Sequence, residues 1–284
     1  MAITGIDASR HKGAVGWGSV RRAGHTFAIL KATDDTSYQY IDWFHREFPK
    51  AKAAGLIAGA YHFLSNDHDG ASQARYYVRE VNRRGGFRGV LAAVDVEVDA
   101  DGSWPSIGQV RQFVSEFRRL VPRHALLIYT GRWFWQASRY LNNPVGANLG
   151  ALWHSEYETT AAEVADGPEA YRYGGWSTWT VWQYTATGRC PGVAGDCDLN
   201  RFNGTLAALR ALAGVSTPTQ PMENDMPWIL VSTGLQSYIV FGDTAVAIRS
   251  AAEWETYRDI PGVPVRRVPK ATYNLVLSRI NVKH

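Results

Sequence analysis

The chain has 284 residues, 45% of them hydrophobic and 20% charged, which excludes a disordered, collagenous or coiled-coil protein. At this length one large domain, or one plus a small one, is expected. The net charge of +4 is far from the dense basic stripe of a nucleic-acid binder, and no apolar run approaches the roughly 18 residues that span a bilayer, so neither nucleic acid nor membrane insertion is expected. In chain order, strands are predicted at Ala2–Ala8, Thr26–Ala32, Gly55–Phe63, Gly89–Val96, Ala125–Tyr129, Gly150–His154, Thr178–Tyr184 and Asp198–Phe202. Helical periodicity falls at Asp42–Ala54, Ala71–Arg84 and Ile107–Leu120, with Gly204–Leu212 closing the domain. Alternating strands and helices favour a parallel sheet. Eight strands with about five good helices suggest a barrel whose last turns lack full helices. A doubly wound sheet is the alternative, but no Gly-rich phosphate loop follows the first strand.

Residues 1–213 thus form the main domain, and the Pro/Ser/Thr-rich stretch 214–225 reads as a linker. Residues 226–284 form a small α+β domain. In it, strands at Ser237–Phe241 and Thr244–Ile248 flank a Gly242-Asp243 turn, and a capping box at Ser250–Glu253 opens a short helix through Tyr257. A short strand at Val263–Val268 and a last helix at Lys270–Ile280 complete it.

The chemistry concentrates at strand ends. Leu91-Ala-Ala-Val-Asp95-Val-Glu97 is an apolar run that turns acidic, and alternation puts Asp95 and Glu97 on one face. In a barrel of parallel strands that end is where active sites lie. Two inward carboxylates raise each other's pKa, and a carboxyl still protonated near neutral pH can serve as a general acid. Other strand ends supply Asp7, Tyr61, Tyr129, Trp153, Gln183 and Tyr184, and the last strand begins Asp198-Leu-Asn200. Carboxylates ringed by Tyr and Trp suit a sugar, because rings cover the apolar pyranose faces while carboxylates and amides bind hydroxyls.

Six motifs in order, Gly5-Ile-Asp7-Ala-Ser9, Ala60-Tyr61-His62-Phe63, Asp95-Val-Glu97, Trp153, Trp182-Gln183-Tyr184 and Asp198-Leu-Asn200, resemble those of the glycoside hydrolase family 25 lysozymes. These muramidases are often phage endolysins. The resemblance runs from Gly5 to about Leu212. It implies a flattened TIM-like α/β barrel of eight strands and about five helices. It also implies hydrolysis, without a cofactor, of the β-1,4 bond between N-acetylmuramic acid and N-acetylglucosamine in bacterial peptidoglycan. By it, Glu97 matches the general acid, Asp95 its partner carboxylate, and Asp7 and Asp198 the other cleft acids. Tyr61, Trp153, Gln183 and Tyr184 match cleft-lining positions, and Tyr129 joins them as a substrate-binding candidate. His154-Ser155 departs from the pattern, where relatives more often carry an apolar residue and then a small one. Substrate acetamido participation is implied, with Asp95 or Asp198 orienting the amide.

Met1–Arg10 lacks the basic and apolar regions of a secretory signal. With the resemblance, this suggests storage in the host cytoplasm, release through a holin, and action at the wall, where residues 226–284 would bind. Cys190 and Cys197 are close enough in sequence for one disulfide clip before Asp198, but they are not a zinc set. His62 reads as a packing or hydrogen-bonding residue, and Gly85-Gly86 as a helix stop rather than an RNA-binding box. A non-catalytic glycan-binding barrel and a chitinase-like hydrolase stay open. Against the latter, Ala93 stands where an earlier acid of a chitinase-type run would fall.

Overall fold

In the computed structural model, eight strands hydrogen-bond in sequence order into a closed barrel. They are β1 (Ile3–Ala8), β2 (Phe27–Asp34), β3 (Ile57–Phe63), β4 (Leu91–Asp95), β5 (Leu126–Thr130), β6 (Ala151–Ser155), β7 (Val181–Gly188) and β8 (Cys197–Phe202). The structure describes residues 2–136, 140, 143–157, 160–169 and 171–215, and then strand segments at 228–231, 237–241, 244–248, 265–267 and 281–283. Two compact units emerge, Met1–Ser216 and Thr217–His284.

Neighbours from β1 through β7 are parallel, but β8 runs antiparallel to both β7 and β1, which corrects the expectation of a wholly parallel sheet. The cause is the loop Arg189–Asp196 between β7 and β8. It is shorter than the dozen or more residues that a parallel crossover needs, so the chain turns straight back. Asp198, at the start of β8, therefore lies at the same rim as the C-terminal ends of the other strands. β8 then carries the chain to the opposite mouth.

Helices α1 (Trp17–Arg22), α2 (Ile41–Ala53), α3 (Gly70–Asn82), α4 (Ile107–Leu120), α5 (Arg132–Trp135), α6 (Gly146–Leu149), α7 (Ala161–Asp166) and α8 (Leu206–Leu212) follow or bridge the strands. The longer ones are stopped and started by local chemistry. Asp69 accepts a hydrogen bond from the Ser72 N–H at the start of α3, and Ser106 with Gln109 forms a capping box on α4. Beyond α3, Gly85 and Gly86 take positive φ, as expected of a helix stop. The short α5, α6 and α7 have too few turns to show periodicity in the sequence.

Alternation along the strands builds two apolar layers. Outward residues such as Ile6, Leu30, Ala60, Val94, Ile128, Leu152 and Trp182 meet the helices. Inward residues Phe27, Ile29, Leu91, Ala93, Leu127, Val181 and Phe202 fill the barrel, and Leu209 and Ala213 of the α8 region pack against them as its floor. Burying each large side chain of this kind contributes about 1.5–3 kcal/mol. Gly5 is part of that fit, since a Cβ there would stand 2.5 Å from the Phe27 ring. Gly5→Ala is expected to cost about 1–3 kcal/mol through overpacking. In urea unfolding, the midpoint should fall with an unchanged m-value.

The second unit is a mixed five-stranded sheet. Its strands are β9 (Trp228–Val231), β10 (Tyr238–Phe241), β11 (Thr244–Ala247), β12 (Val265–Arg267) and β13 (Asn281–Lys283), in the order β12-β9-β10-β11-β13. β10 and β11 are the expected antiparallel pair, and β12 falls within the strand expected at Val263–Val268. β9 and β13 carried no sequence signal. The Gly242-Asp243 turn, most of the linker and the two helices expected at 250–257 and 270–280 lie outside the described residues.

Candidate active site

At the rim, the inward rows stop being apolar. On β2 the row Phe27, Ile29 continues to Lys31; on β3, Ile57 and Gly59 continue to Tyr61; on β4, Leu91 and Ala93 continue to Asp95. Glu97 follows just past the strand end. Asp7, Tyr61, Asp95, Glu97, Tyr129, Trp153, Gln183 and Asp198 together line one pocket of about 220 Å³, joined by Tyr157. Eight of the nine expected site residues thus converge. The ninth, Tyr184, does not. It follows Gln183 on β7, so it faces the other side, packs against the Trp182 ring at 5.7 Å, and joins the outer layer near the cysteines.

A hydrogen-bond network fixes the pocket floor. Asp7 Oδ1 accepts from Asn200 Nδ2 at 2.7 Å and from Gln183 Nε2 at 2.9 Å. Trp153 Nε1 donates to Asn200 Oδ1 at 2.8 Å, and Tyr129 and Tyr157 donate to Gln183 Oε1 at 2.9 and 3.2 Å. Each amide therefore spends its nitrogen on Asp7 and its oxygen on an aromatic donor, so neither can flip without breaking bonds. Tyr61 and Tyr129 stand edge-on to Trp153, at 6.1 and 4.9 Å. The β1–β8 register pairs Asp7 directly with Asp198.

The carboxylates are unequal. Burial, then Asp198, pushes Asp7 up to about 7, against the hydrogen bonds from Asn200 and Gln183. Burial pushes Glu97 up to about 7, opposed by the Lys31 ammonium and helped by Asp99 and Asp198. Asp95 is raised well above the usual carboxylate range by burial and then by Glu97, and its Oδ1 is buried with no hydrogen-bond partner. Burial also raises Asp198, which Lys12 offsets from 4.0 Å. Asp95 and Glu97 behave as a pair that resists double ionisation and keeps a proton into the neutral range. Lys31 lies 2.6 Å from Asp34 Oδ2 and sits over the Phe63 ring at 4.3 Å.

Beyond the acids, the cleft continues into a wider arm of about 500 Å³ that shares Tyr61, Asp95 and Glu97 and adds Arg10, Lys31, Tyr38 and Tyr40. Lys31 and Tyr157 are site residues that the sequence reading left out, and Asn200 and Ser155 are ones it named without giving them a place in the site. Period-two alternation carried the signal for Lys31 and Asn200, each two positions from a residue already on the inward row. His62 faces away from the cleft. Its ring bonds Thr33 at 2.8 Å and Gln73 at 3.0 Å and stacks on Phe113, and burial drives its pKa down to about 3, so it is a neutral core residue. His154 likewise points outward, bonding the Tyr173 hydroxyl at 2.9 Å.

Cys190 and Cys197 are buried free thiols, so the expected disulfide clip is not closed in this structure. The Cys190 thiol donates to the Pro191 carbonyl and the Cys197 thiol to the Asp198 carbonyl, and Cys197, with help from His25, lowers the Cys190 thiol to about 5 against the cost of burial. Their nearness follows from the turn between β7 and β8, whose register pairs Gly188 with Cys197.

Comparison with known proteins bears on this arrangement. The family model of glycosyl hydrolases family 25 matches residues 6–193. Lysozyme M1 of Streptomyces globisporus is 35% identical over 222 residues, covering 74% of this chain and 71% of that protein. The N,O-diacetylmuramidase of Chalaropsis sp is 25% identical, covering 74% of this chain and 99% of that protein. The solved structure of the bacterial lysozyme from Streptomyces coelicolor superposes with a TM-score of 0.66 at 31% identity, covering 76% of this chain and 99% of that one. The barrel, its acid-lined rim and these likenesses agree: the chain belongs to glycosyl hydrolases family 25 and is a glycoside hydrolase of the lysozyme, or muramidase, kind.

Proposed function

We propose that the enzyme cleaves the β-1,4 bond between N-acetylmuramic acid and N-acetylglucosamine in bacterial peptidoglycan, with Glu97 as its acid and base, and that it serves as an endolysin. The observation that carries the reading is the pairing of Glu97, raised to about 7, with the buried Asp95 in one pocket walled by Tyr61, Tyr129 and Trp153. Glu97 protonates the glycosidic oxygen as the bond to the anomeric carbon breaks. The acetamido oxygen of the same sugar then forms a bond to that carbon, and Asp95 accepts the amide N–H and steadies the cyclic cation. Asp198 is the competing group for that role. Water opens the ring, giving its proton to Glu97, which is thereby reset. Asp7, held by two amides, tunes the potential of the cleft rather than exchanging protons with substrate.

The test is product identity. Purified actinobacterial peptidoglycan is digested and the new reducing ends are identified by mass spectrometry. Muramic-acid reducing ends are expected. No new ends would point to a glycan-binding barrel, and cleavage of chitin in place of peptidoglycan would point to a chitinase-like hydrolase.

Residues 217–284 form a separate unit, and we read it as a wall-binding module that holds the barrel near an insoluble substrate by effective concentration. Deleting 217–284 is expected to weaken wall pull-down about tenfold or more while soluble glycan strands are still cleaved. Undiminished pull-down would make the unit a structural appendage.

A further inference from the structure

The acid pocket, at about 220 Å³, is smaller than the roughly 300–1,000 Å³ of usual ligand sites, so a polymeric glycan must run past it. One continuation is the arm that holds Lys31. On the opposite side, a groove of about 470 Å³ is lined by Trp133, Tyr157, Arg132 and Ser155. Tyr157 belongs to both the groove and the acid pocket, and its hydroxyl donates to the same Gln183 oxygen that receives Tyr129, so the two spaces adjoin at that ring.

Trp133 is 50% exposed and Tyr157 is 56% exposed, unusual positions for rings of this size. Trp133 is nonetheless seated. A Cβ on Gly131 would stand 2.0 Å from the indole Nε1 and 2.8 Å from the Ser155 carbonyl oxygen, so the glycine lets the indole fold back over the rim toward the end of β6. The indole ring also stands edge-on to buried Phe134 at 6.0 Å. A held aromatic face open to water beside a sugar-cleaving pocket matches the apolar face of a pyranose.

We propose that Trp133 and Tyr157 form the platform for the N-acetylated sugar next to the scissile bond, on the side of the cleft away from Lys31. The proposal rests on the glycosidase reading above and names a substrate-binding surface that reading does not use.

The test uses the full chain with peptide-free glycan strands of graded length. Trp133→Ala is expected to raise KM on long strands about tenfold with kcat within about twofold, and to shift the lengths of the products. Trp133→Phe should recover most of the loss. In a Glu97→Gln background the strands stay uncut, and their binding should quench tryptophan fluorescence in a way that a further Trp133→Phe change removes. Wild-type KM and product lengths in Trp133→Ala, with an unchanged urea midpoint, would overturn the platform. A Glu97→Gln enzyme of full activity would instead overturn the assignment of the acid, and the difference in quenching between wild type and Trp133→Phe at short mixing times would still report on Trp133.

Discussion

Glu97→Gln is expected to lower kcat on peptidoglycan by about 10²–10⁴-fold with little change in KM. The substitution keeps the shape of the side chain and its capacity to hydrogen-bond but removes the transferable proton. Burial disfavours the charged form of Glu97, so the proton persists up to about pH 7 in the folded enzyme. The acid is thus present below that value and lost above it. Wild-type rates should fall as pH rises beyond about 7, and the residual rate of the variant should not follow that limb. Measuring kcat and KM for both proteins from pH 5 to 9 checks the two points together. A variant that retained full activity, or the same falling limb, would place the acid elsewhere.

Asp95→Asn is expected to cut kcat by about 10²–10³-fold and to stabilise the fold markedly at alkaline pH. Asp95 is buried beside Glu97, Asp7 and Asp34, with Oδ1 lacking any partner. Its folded pKa lies above its unfolded one, so between about pH 4 and the folded value the native state holds a proton that the unfolded chain has lost. Stability from this group is full below about pH 4 and declines as pH rises through the folded value. The amide does not ionise, so the variant escapes the decline. At pH 8 the gain should be on the order of 1–3 kcal/mol, or about 2–4 °C in Tm per kcal/mol for a unit of this size. At pH 4 the gain should vanish. A pH-independent difference in Tm between the two proteins would argue against a carboxyl forced to ionise in place. An active site that costs stability in this way is the usual trade between function and fold.

Much of this was legible from side-chain alternation alone. Asp95 ends the inward row of β4 and Glu97, two residues on and just past the strand end, lines the same pocket, while alternation places Lys31 after Phe27 and Ile29, and Asn200 after Asp198. It also excludes Tyr184, which cannot share a face with its neighbour Gln183. The direction of β8 was written in the loop Arg189–Asp196 rather than in the strand itself. The hydrogen-bond network had no local signature, because it joins Asp7, Tyr129, Trp153, Gln183 and Asn200 from five strands. Trp133 and Tyr157 follow the ends of β5 and β6, where no periodicity marks a side chain as facing a cleft. The state of Cys190 and Cys197 depends on oxidation as well as on spacing, so their proximity was readable and their bonding was not.

The pairing of Asp7 with Asp198 joins the first strand of the barrel to the last. During synthesis, everything up to β7 can emerge from the ribosome while the pocket still lacks one wall, one acid and the Asn200 clamp on Asp7. Contacts so distant along the chain form late and slowly, because loop closure must precede any return from them. A chain that stops before β8 therefore lacks a complete site. Hydrolytic activity reports on the completed barrel and on no fragment of it.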